Sequence, residues 1–117
     1  MPHIREGMYY VWERGKEPWE ERDLIKWAKY MQTSNRQVEK TNIGHVVVST
    51  VFLGINHNYS SRKNAPPLLF ETLTFDYEPE IQERYETERD ARLGHDEVVR
   101  EVMLTVPVKL KNRSIRI

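Results

Sequence analysis

The clearest pattern of apolar and polar positions lies in the middle of the chain and predicts two long β-strands. Val46 to Ile55 is apolar at both odd and even positions, which predicts a central strand that is covered on both faces, at least locally. Leu68 to Tyr77 is of similar length and predicts its antiparallel neighbour. Residues 56–66, between the two strands, are too many for a tight hairpin turn, so we expect a long polar loop there.

The residues before this pair predict a short strand, a helix and another short strand. Met8 to Trp12 is an aromatic, β-prone run that ends in a glycine-containing turn. Proline at position 18 suits the first turn of a helix, and we predict a helix over Pro18 to Met31. Arg36 to Thr41 is predicted as a short exposed strand. The apolar stripe of the predicted helix consists of Leu24, Trp27, Ala28 and Met31.

The last third of the chain predicts a second helix and an edge strand. Thr87 to Asp90 resembles a capping box, which marks the start of a helix. Leu104 to Leu110 alternates apolar and polar residues, and its proline and lysines are typical of a strand at the edge of a sheet. The apolar face of the helix carries Ala91, His95, Val98 and Val102.

These elements together predict an α+β fold, with a mostly antiparallel sheet packed against two helices. A chain of 117 residues is long enough for one modest core. We therefore expect a single compact domain over residues 1–117. Its core should lie at about 8–103, and residues 104–117 should form the C-terminal edge strand and tail.

Composition excludes several classes of protein. The chain has no cysteine, which removes disulfides, thiolate zinc sites and cysteine nucleophiles. Its 18 basic and 18 acidic residues balance, whereas a nucleic-acid-binding domain is usually basic. No apolar run approaches the roughly 20 residues of a membrane-spanning helix, and MPHIREGMYY lacks the apolar core of a signal peptide. We expect a cytoplasmic protein without a cofactor and with neither nucleic acid nor membrane as a partner.

The charges are nevertheless distributed unevenly. Residues 71–101 contain eleven acidic and four basic side chains, a net charge of −7. The segment from Val102 onward contains no acidic residue. Its cations are Lys109, Lys111, Arg113 and Arg116.

Three polar residues interrupt the apolar pattern and suggest a site. Glu71 falls within a predicted strand, His95 falls on the apolar face of the second helix, and His57 follows the end of the central strand. Two imidazoles and a carboxylate can share acid and base roles or bind a divalent metal. No close-spaced metal motif such as HExxH occurs, so we predict no metal site. The alternative is structural: His95 donates a hydrogen bond to Glu71 or to a backbone carbonyl, and His57 caps the strand end.

The long loop offers a second group of candidate binding residues. Arg62 and Lys63 supply two cations for an anionic ligand such as phosphate, and a tyrosine ring can stack on a base. A solvated loop without a ligand is the alternative. The complete set of candidate ligand-binding residues is Asn56, His57, Tyr59, Arg62, Lys63, Glu71, Tyr85 and His95.

Several short motifs together resemble a family of small bacteriophage and prophage proteins. The family motifs are V-S-T-V-x-L-G-L-D-H, P-P-L-x-F-E-T-M, R-Y-x-T and A-x-x-G-H. The resemblance extends over about Tyr9 to Val102, and it includes His57, Glu71 and His95. Asn56 stands where the family usually has aspartate. The matching segments here are Val48 to His57, Pro66 to Thr72, Arg84 to Thr87 and Ala91 to His95.

The resemblance implies a viral setting rather than a particular reaction. We expect a phage accessory protein that counters host defence in the cytoplasm of the infected bacterium. It would bind a host protein or sequester a small anionic, nucleotide-like signalling molecule, and it would form homo-oligomers. One alternative is a small hydrolase or nuclease that uses His57, Glu71 and His95, although no enzyme motif supports catalysis. The other is a structural phage protein.

Overall fold

The computed structural model of the protein describes residues 6–60, 62 and 64–105. Within these ranges the chain forms two antiparallel sheets and two helices, which confirms the predicted α+β class. In chain order the elements are β1 (Tyr10–Val11), β2 (Trp19–Glu20), α1 (Leu24–Thr33), β3 (Gln37–Ile43), β4 (Val46–Phe52), β5 (Phe70–Phe75), β6 (Gln82–Tyr85) and α2 (Glu88–Thr105).

The main sheet has four antiparallel strands in the order β3-β4-β5-β6. The β-branched residues of β4 favour this extended backbone. Strand β4 turns back from β3 at Gly44, whose φ of 62° is readily adopted by glycine. In the register of β4 with β5, Thr50 lies opposite Thr72 and Val51 lies opposite Glu71. Strands β1 and β2 form a separate two-stranded sheet.

Helix α2 covers one face of the four-stranded sheet and forms the core with it. The Thr87 hydroxyl accepts a hydrogen bond from the Asp90 N–H at 3.0 Å, so the predicted helix start is confirmed. Burial of apolar side chains between helix and sheet is the main stabilising contribution to such a layer. The buried apolar residues of the sheet and of α2 include Val46, Val48, Phe52, Phe70, Ala91, Val98 and Val102.

The prediction that β4 is a central strand is confirmed, because β3 and β5 lie on either side of it, but its two faces are not covered equally. Val46, Val48 and Phe52 on one face are buried, whereas Val47 and Val51 on the other face are half-buried. The second face is only partly covered, because α2 packs on the opposite face.

Helix α1 begins later than predicted. Asp23 is its N-cap, and its carboxylate accepts hydrogen bonds from the N–H groups of Ile25 and Lys26 at 3.0 and 3.1 Å. The residues after Pro18 instead form β2, in which Trp19 lies opposite Val11. The helix has no fully buried residue, so the predicted stripe is only partly covered.

Two further differences concern the last third of the chain. Strand β6 was not predicted, and it pairs Arg84 with Glu71 at the edge of the main sheet. Leu104 and Thr105 are helical, so the predicted edge strand begins too early. Residues 106–110 of that predicted strand lie outside the described residues.

Close packing between α2 and the sheet depends on Gly94. A Cβ atom at this position would overlap the ring and hydroxyl of Tyr85. Only glycine allows the helix backbone to lie this close to Tyr85 of β6. Gly54 plays a similar part at the end of β4, where its φ is 80° and the Met31 side chain packs against it.

Candidate functional site: a polar pocket at the β4–β5 loop

His95 is built into the buried interface between α2 and the sheet. Its exposed fraction is 0%. Its Nε2 lies 2.9 Å from the Thr41 hydroxyl, and its Nδ1 lies 2.7 Å from the Thr50 hydroxyl. Thr50 also shares a hydrogen bond with Thr72, which is buried too. Both ring nitrogens are therefore satisfied by the protein, as buried polar groups usually are.

Burial is the main influence on the ionisation of His95. It lowers the pKa of the imidazole, although the nearby Glu39 and Asp96 carboxylates oppose this effect. The Glu39 carboxylate lies 3.7 Å from Nε2. The neutral ring, with one nitrogen donating and the other accepting, fits the two threonine hydroxyls.

Glu71 is paired across the sheet rather than with a histidine. Its Oε2 accepts hydrogen bonds from Arg84 Nε and Gln82 Nε2, both at 2.9 Å. Only 7% of the residue is exposed. The partners on β6 therefore explain how a carboxylate is tolerated in the middle of β5, because a buried charge needs a charged or hydrogen-bonding partner.

The predicted cluster of Glu71, His57 and His95 is not formed. Consecutive residues of a strand point to opposite faces of the sheet. Thr72 lies in the hydrogen-bonded chain that reaches His95, so the adjacent Glu71 points to the other face. The proposed hydrogen bond between His95 and Glu71 is therefore also wrong. Glu71 and His95 therefore cannot act on one substrate, and the hydrolase interpretation loses the arrangement in which all three groups meet.

His57 lies on the loop side of the sheet. Its Nδ1 lies 3.1 Å from the Tyr59 hydroxyl, and the two rings pack edge to face with 5.9 Å between their centroids. Burial lowers the pKa of His57, Arg84 lowers it further, and Glu71 opposes both. The charges of Glu71 and Arg84 are thus close enough to His57 to influence its pKa.

Described residues of the long loop and residues 6–8 together line an open polar pocket, here called the loop pocket. Its volume is about 480 Å³. Three of the predicted ligand-binding residues lie together in its wall: Asn56, Tyr59 and Arg62. The other lining residues are Glu6, Gly7, Met8, Asn58, Ser60, Asn64 and Ala65.

The Asn56 side chain joins the loop to the N-terminal segment at this pocket by hydrogen bonds. Its Oδ1 accepts hydrogen bonds from the N–H groups of Asn58 and Leu68 at 2.8 and 3.1 Å. Its Nδ2 donates to the Gly7 carbonyl at 3.2 Å. The side chain therefore closes the loop onto the N-terminal segment, and these bonds explain why β4 is followed by a polar residue.

Arg62 and Tyr59 are the groups best placed to contact a ligand. Tyr59 is 76% exposed. Within the described ranges, the Arg62 guanidinium forms no hydrogen bond or ion pair, while its backbone N–H donates to the Ser60 hydroxyl at 3.1 Å. The one acidic residue in the described wall, Glu6, is already paired with Arg22 at 2.6 Å. The pocket thus presents an available cation, an aromatic face and several amides.

Two other predicted residues are not placed in this pocket. Tyr85 lies at the other face of the sheet, against Gly94 of α2. Lys63 lies outside the described residues. The contributions of residues 6–8, Asn58 and Asn64 were not predicted. The Asn-rich composition of the loop was the available signal for the last two, whereas nothing in the local sequence links residues 6–8 to the loop.

Comparisons of the chain with protein-family models, with curated proteins and with solved structures give no match. Among the described residues, no three His, Asp or Glu side chains are grouped so that they could hold a metal ion. Neither α1 nor α2 has the length and apolar character that crossing a bilayer requires.

Proposed function

We propose that this protein is a phage-encoded accessory protein that counters host defence by sequestering a small anionic signalling ligand in the loop pocket. The ligand would be of nucleotide size. The phage setting rests on the resemblance of four sequence motifs. The binding role rests on one observation above all: the Arg62 guanidinium has no hydrogen bond or ion pair among the described residues, and it lies in a pocket that Tyr59 also lines.

The size and chemistry of the pocket favour such a ligand. Ligand pockets usually measure about 300–1,000 Å³, and the loop pocket falls in this range at about 480 Å³. The planar guanidinium of arginine suits phosphate because it donates two parallel hydrogen bonds. The exposed ring of Tyr59 offers a face on which a base can stack.

Native mass spectrometry of the purified protein tests the proposal first. A nucleotide-sized excess mass, lost on denaturation, supports a sequestered ligand, and the same spectrum reports the number of subunits. Isothermal titration with ADP as the probe then tests the residues. We expect Arg62→Gln to weaken binding at least tenfold, since a hydrogen bond to a charged group contributes about 1.5–3 kcal/mol.

Arg89→Gln is the matched control, because Arg89 is an exposed arginine on α2, outside the loop pocket. Its affinity should equal that of the unchanged protein. Equal affinities for all three proteins, or an equal loss in both variants, would contradict binding in the loop pocket. A protein that carries no ligand and binds no nucleotide would contradict the small-ligand proposal, and capture of a host protein would then become the function to test.

A further inference from the structure

A second pocket is lined by residues of the β1–β2 hairpin and of helix α1, and it shares no lining residue with the loop pocket. Its volume is about 390 Å³, which falls in the range usual for ligand pockets. Three of its described lining residues are aromatic, namely Trp12, Trp19 and Tyr30, and the other two are Glu13 and Ser34. This site is here called the aromatic pocket.

Trp19 presents an open ring to this pocket. Its exposed fraction is 46%, although tryptophan is highly buried on average. Within the described ranges its indole N–H forms no hydrogen bond and its ring contacts no other ring. The indole N–H groups of the other two tryptophans are bonded, that of Trp12 to the Glu88 carboxylate at 3.0 Å and that of Trp27 to the Gly54 carbonyl at 2.9 Å. Trp19 is therefore the tryptophan whose ring is left for a ligand.

The wall opposite Trp19 in the sequence is fixed by hydrogen bonds. The Tyr30 hydroxyl accepts from the Trp12 N–H at 3.1 Å and donates to the Trp12 carbonyl at 2.7 Å. The Trp12 ring is buried, and the Arg14 guanidinium carbon lies 5.7 Å from its centroid, so this ring already has a cation partner. The rings that remain for a ligand are those of Trp19 and the half-buried Tyr30. A wall that is held in place before binding lowers the entropy lost on binding.

The charged and dipolar groups of the wall favour a positively charged ligand. Glu13 is the one charged residue among the described lining residues. Helix α1 ends at the pocket, where Ser34 is its C-cap, and the last turn of the helix contains no basic side chain. The C-terminal end of a helix carries a partial negative charge that attracts cations. The faces of aromatic rings attract cations as well.

Lys16 and Arg36 are cations near this pocket, and both already have partners. Lys16 pairs with Glu13 at 2.7 Å, but both side chains are largely exposed, and such surface ion pairs contribute little. Arg36 opposes the rise that burial causes in the pKa of Tyr30, and its guanidinium donates to the Phe52 carbonyl at 3.0 Å. A ligand cation that also contacts the rings can therefore compete with Lys16 for the Glu13 carboxylate.

The hydrogen-bond acceptors of the pocket indicate which kind of cation fits. The Tyr30 hydroxyl is used twice by Trp12, and the Glu13 carboxylate is shared with Lys16. A primary ammonium group carries three N–H donors that need acceptors, whereas a quaternary ammonium group carries none and is bound by ring faces and negative charge. We infer that the aromatic pocket binds a small molecule with a quaternary ammonium group, with its methyl groups against Trp19 and Tyr30 and its charge near Glu13.

A titration of the isotope-labelled protein with choline tests this inference through the indole N–H resonances of the tryptophans. The Trp19 resonance should shift, whereas that of Trp27, which lies outside the described wall of the pocket, should stay in place. The neutral alcohol in which carbon replaces the choline nitrogen has the same shape without the charge. It should bind about fivefold more weakly or worse, because it keeps the apolar contact and loses the attraction between cation and ring.

Variants followed by the Ser34 backbone amide locate the binding. Trp19→Leu should weaken choline binding about fivefold or more, and Trp19→Phe should weaken it less, since phenylalanine keeps a ring face. Phe75→Leu is the matched control, because Phe75 is an exposed ring of β5 outside the described wall, and its affinity should be unchanged. An unmoved Trp27 resonance in each variant shows that the fold is retained. Equal binding of choline and its neutral analogue, an unchanged affinity in Trp19→Leu, or no shift at saturating choline would overturn the inference.

Discussion

Two histidines of this protein occupy contrasting regions, and the contrast separates a structural role from a candidate binding role. His95 is completely buried, and both of its ring nitrogens are bonded to threonine hydroxyls. His57 is half-buried at the loop, where one ring nitrogen meets the exposed Tyr59. The first histidine joins a helix to a sheet, whereas the second lies beside a pocket that solvent can enter.

Ionisation alone would not distinguish the two residues. Burial lowers the pKa of both imidazoles. The difference lies in their hydrogen bonds. Both ring nitrogens of His95 are bonded, so neither is left for a ligand, whereas the His57 ring bonds only the neighbouring Tyr59 among the described residues. The lowered pKa therefore does not separate the two histidines, whereas their hydrogen-bond partners do.

The largest expected effect comes from making the same change at both positions. His95→Ala should destabilise the protein by about 3 kcal/mol or more, because it leaves a cavity and removes partners from buried hydroxyls. His57→Ala should cost less than about 1 kcal/mol, since substitutions away from the core are usually tolerated. Urea unfolding followed by tryptophan fluorescence measures both. Equal losses would remove the contrast between the two regions.

The next effect concerns the glycine beside His95. Gly94→Ala should destabilise the protein by about 1–3 kcal/mol, because the added Cβ overlaps Tyr85 and forces the helix or the ring to move. Tyr85→Leu should relieve the clash, so Gly94→Ala should cost less in a chain that already carries Tyr85→Leu. A double-mutant cycle of urea midpoints tests this coupling. Additive losses would show that Tyr85 is not the obstacle.

A smaller effect is expected on the pH dependence of stability, to which the ionisation of His95 contributes. The ordinary histidine pKa near 6.5 applies to the unfolded chain, and burial lowers the pKa in the folded protein. Below about pH 6.5 the unfolded state therefore binds more protons than the folded state. Stability should be fully present above this pH and should decrease on acidification, by at most about 1.4 kcal/mol per pH unit for this group.

Urea midpoints between about pH 7.5 and 5 measure this slope, above the usual range of most carboxylates. The slope should be smaller in His95→Gln. It should not vanish, because the pKa of His57 is lowered as well and contributes with the same sign. An unchanged slope in His95→Gln would show that another group dominates the dependence.

The smallest expected effect on stability belongs to Arg62. Its side chain has no hydrogen bond or ion pair within the described residues, so Arg62→Gln should change the free energy of unfolding by less than about 0.5 kcal/mol. Its ligand affinity should nevertheless fall. A calorimetric unfolding scan with and without ADP measures both quantities. A large loss of stability without ligand would indicate that Arg62 supports the fold.

Strand β4 and the start of helix α2 were predictable because each is specified by a short local sequence pattern. The β-branched residues of Val46 to Phe52 predict a strand, and Thr87 with Asp90 marks the start of α2 in sequence as in structure. Strand β6 was missed because residues 82–85 carry no apolar alternation. Its pairing with β5 becomes apparent only when Arg84 meets Glu71.

The candidate site was predictable only in part, for a similar reason. The sequence indicated that Asn56, Tyr59 and Arg62 belong to one loop, and the structure places them in one pocket. It did not indicate that Glu71 and His95 lie on opposite faces of the sheet, which depends on tertiary packing against α2. Polar interruptions of the apolar pattern therefore did not identify one shared site.

The central claim is that the loop pocket binds a ligand while the His95 region holds the fold. A titration of the isotope-labelled protein with ADP, followed by the backbone amide resonances, tests it most directly. The account predicts shifts confined to residues 6–8 and to the described loop residues between Asn56 and Ala65, with Thr50, Thr72 and His95 unchanged. Shifts centred on His95 and the threonines, or no shifts at saturating ADP, would contradict it.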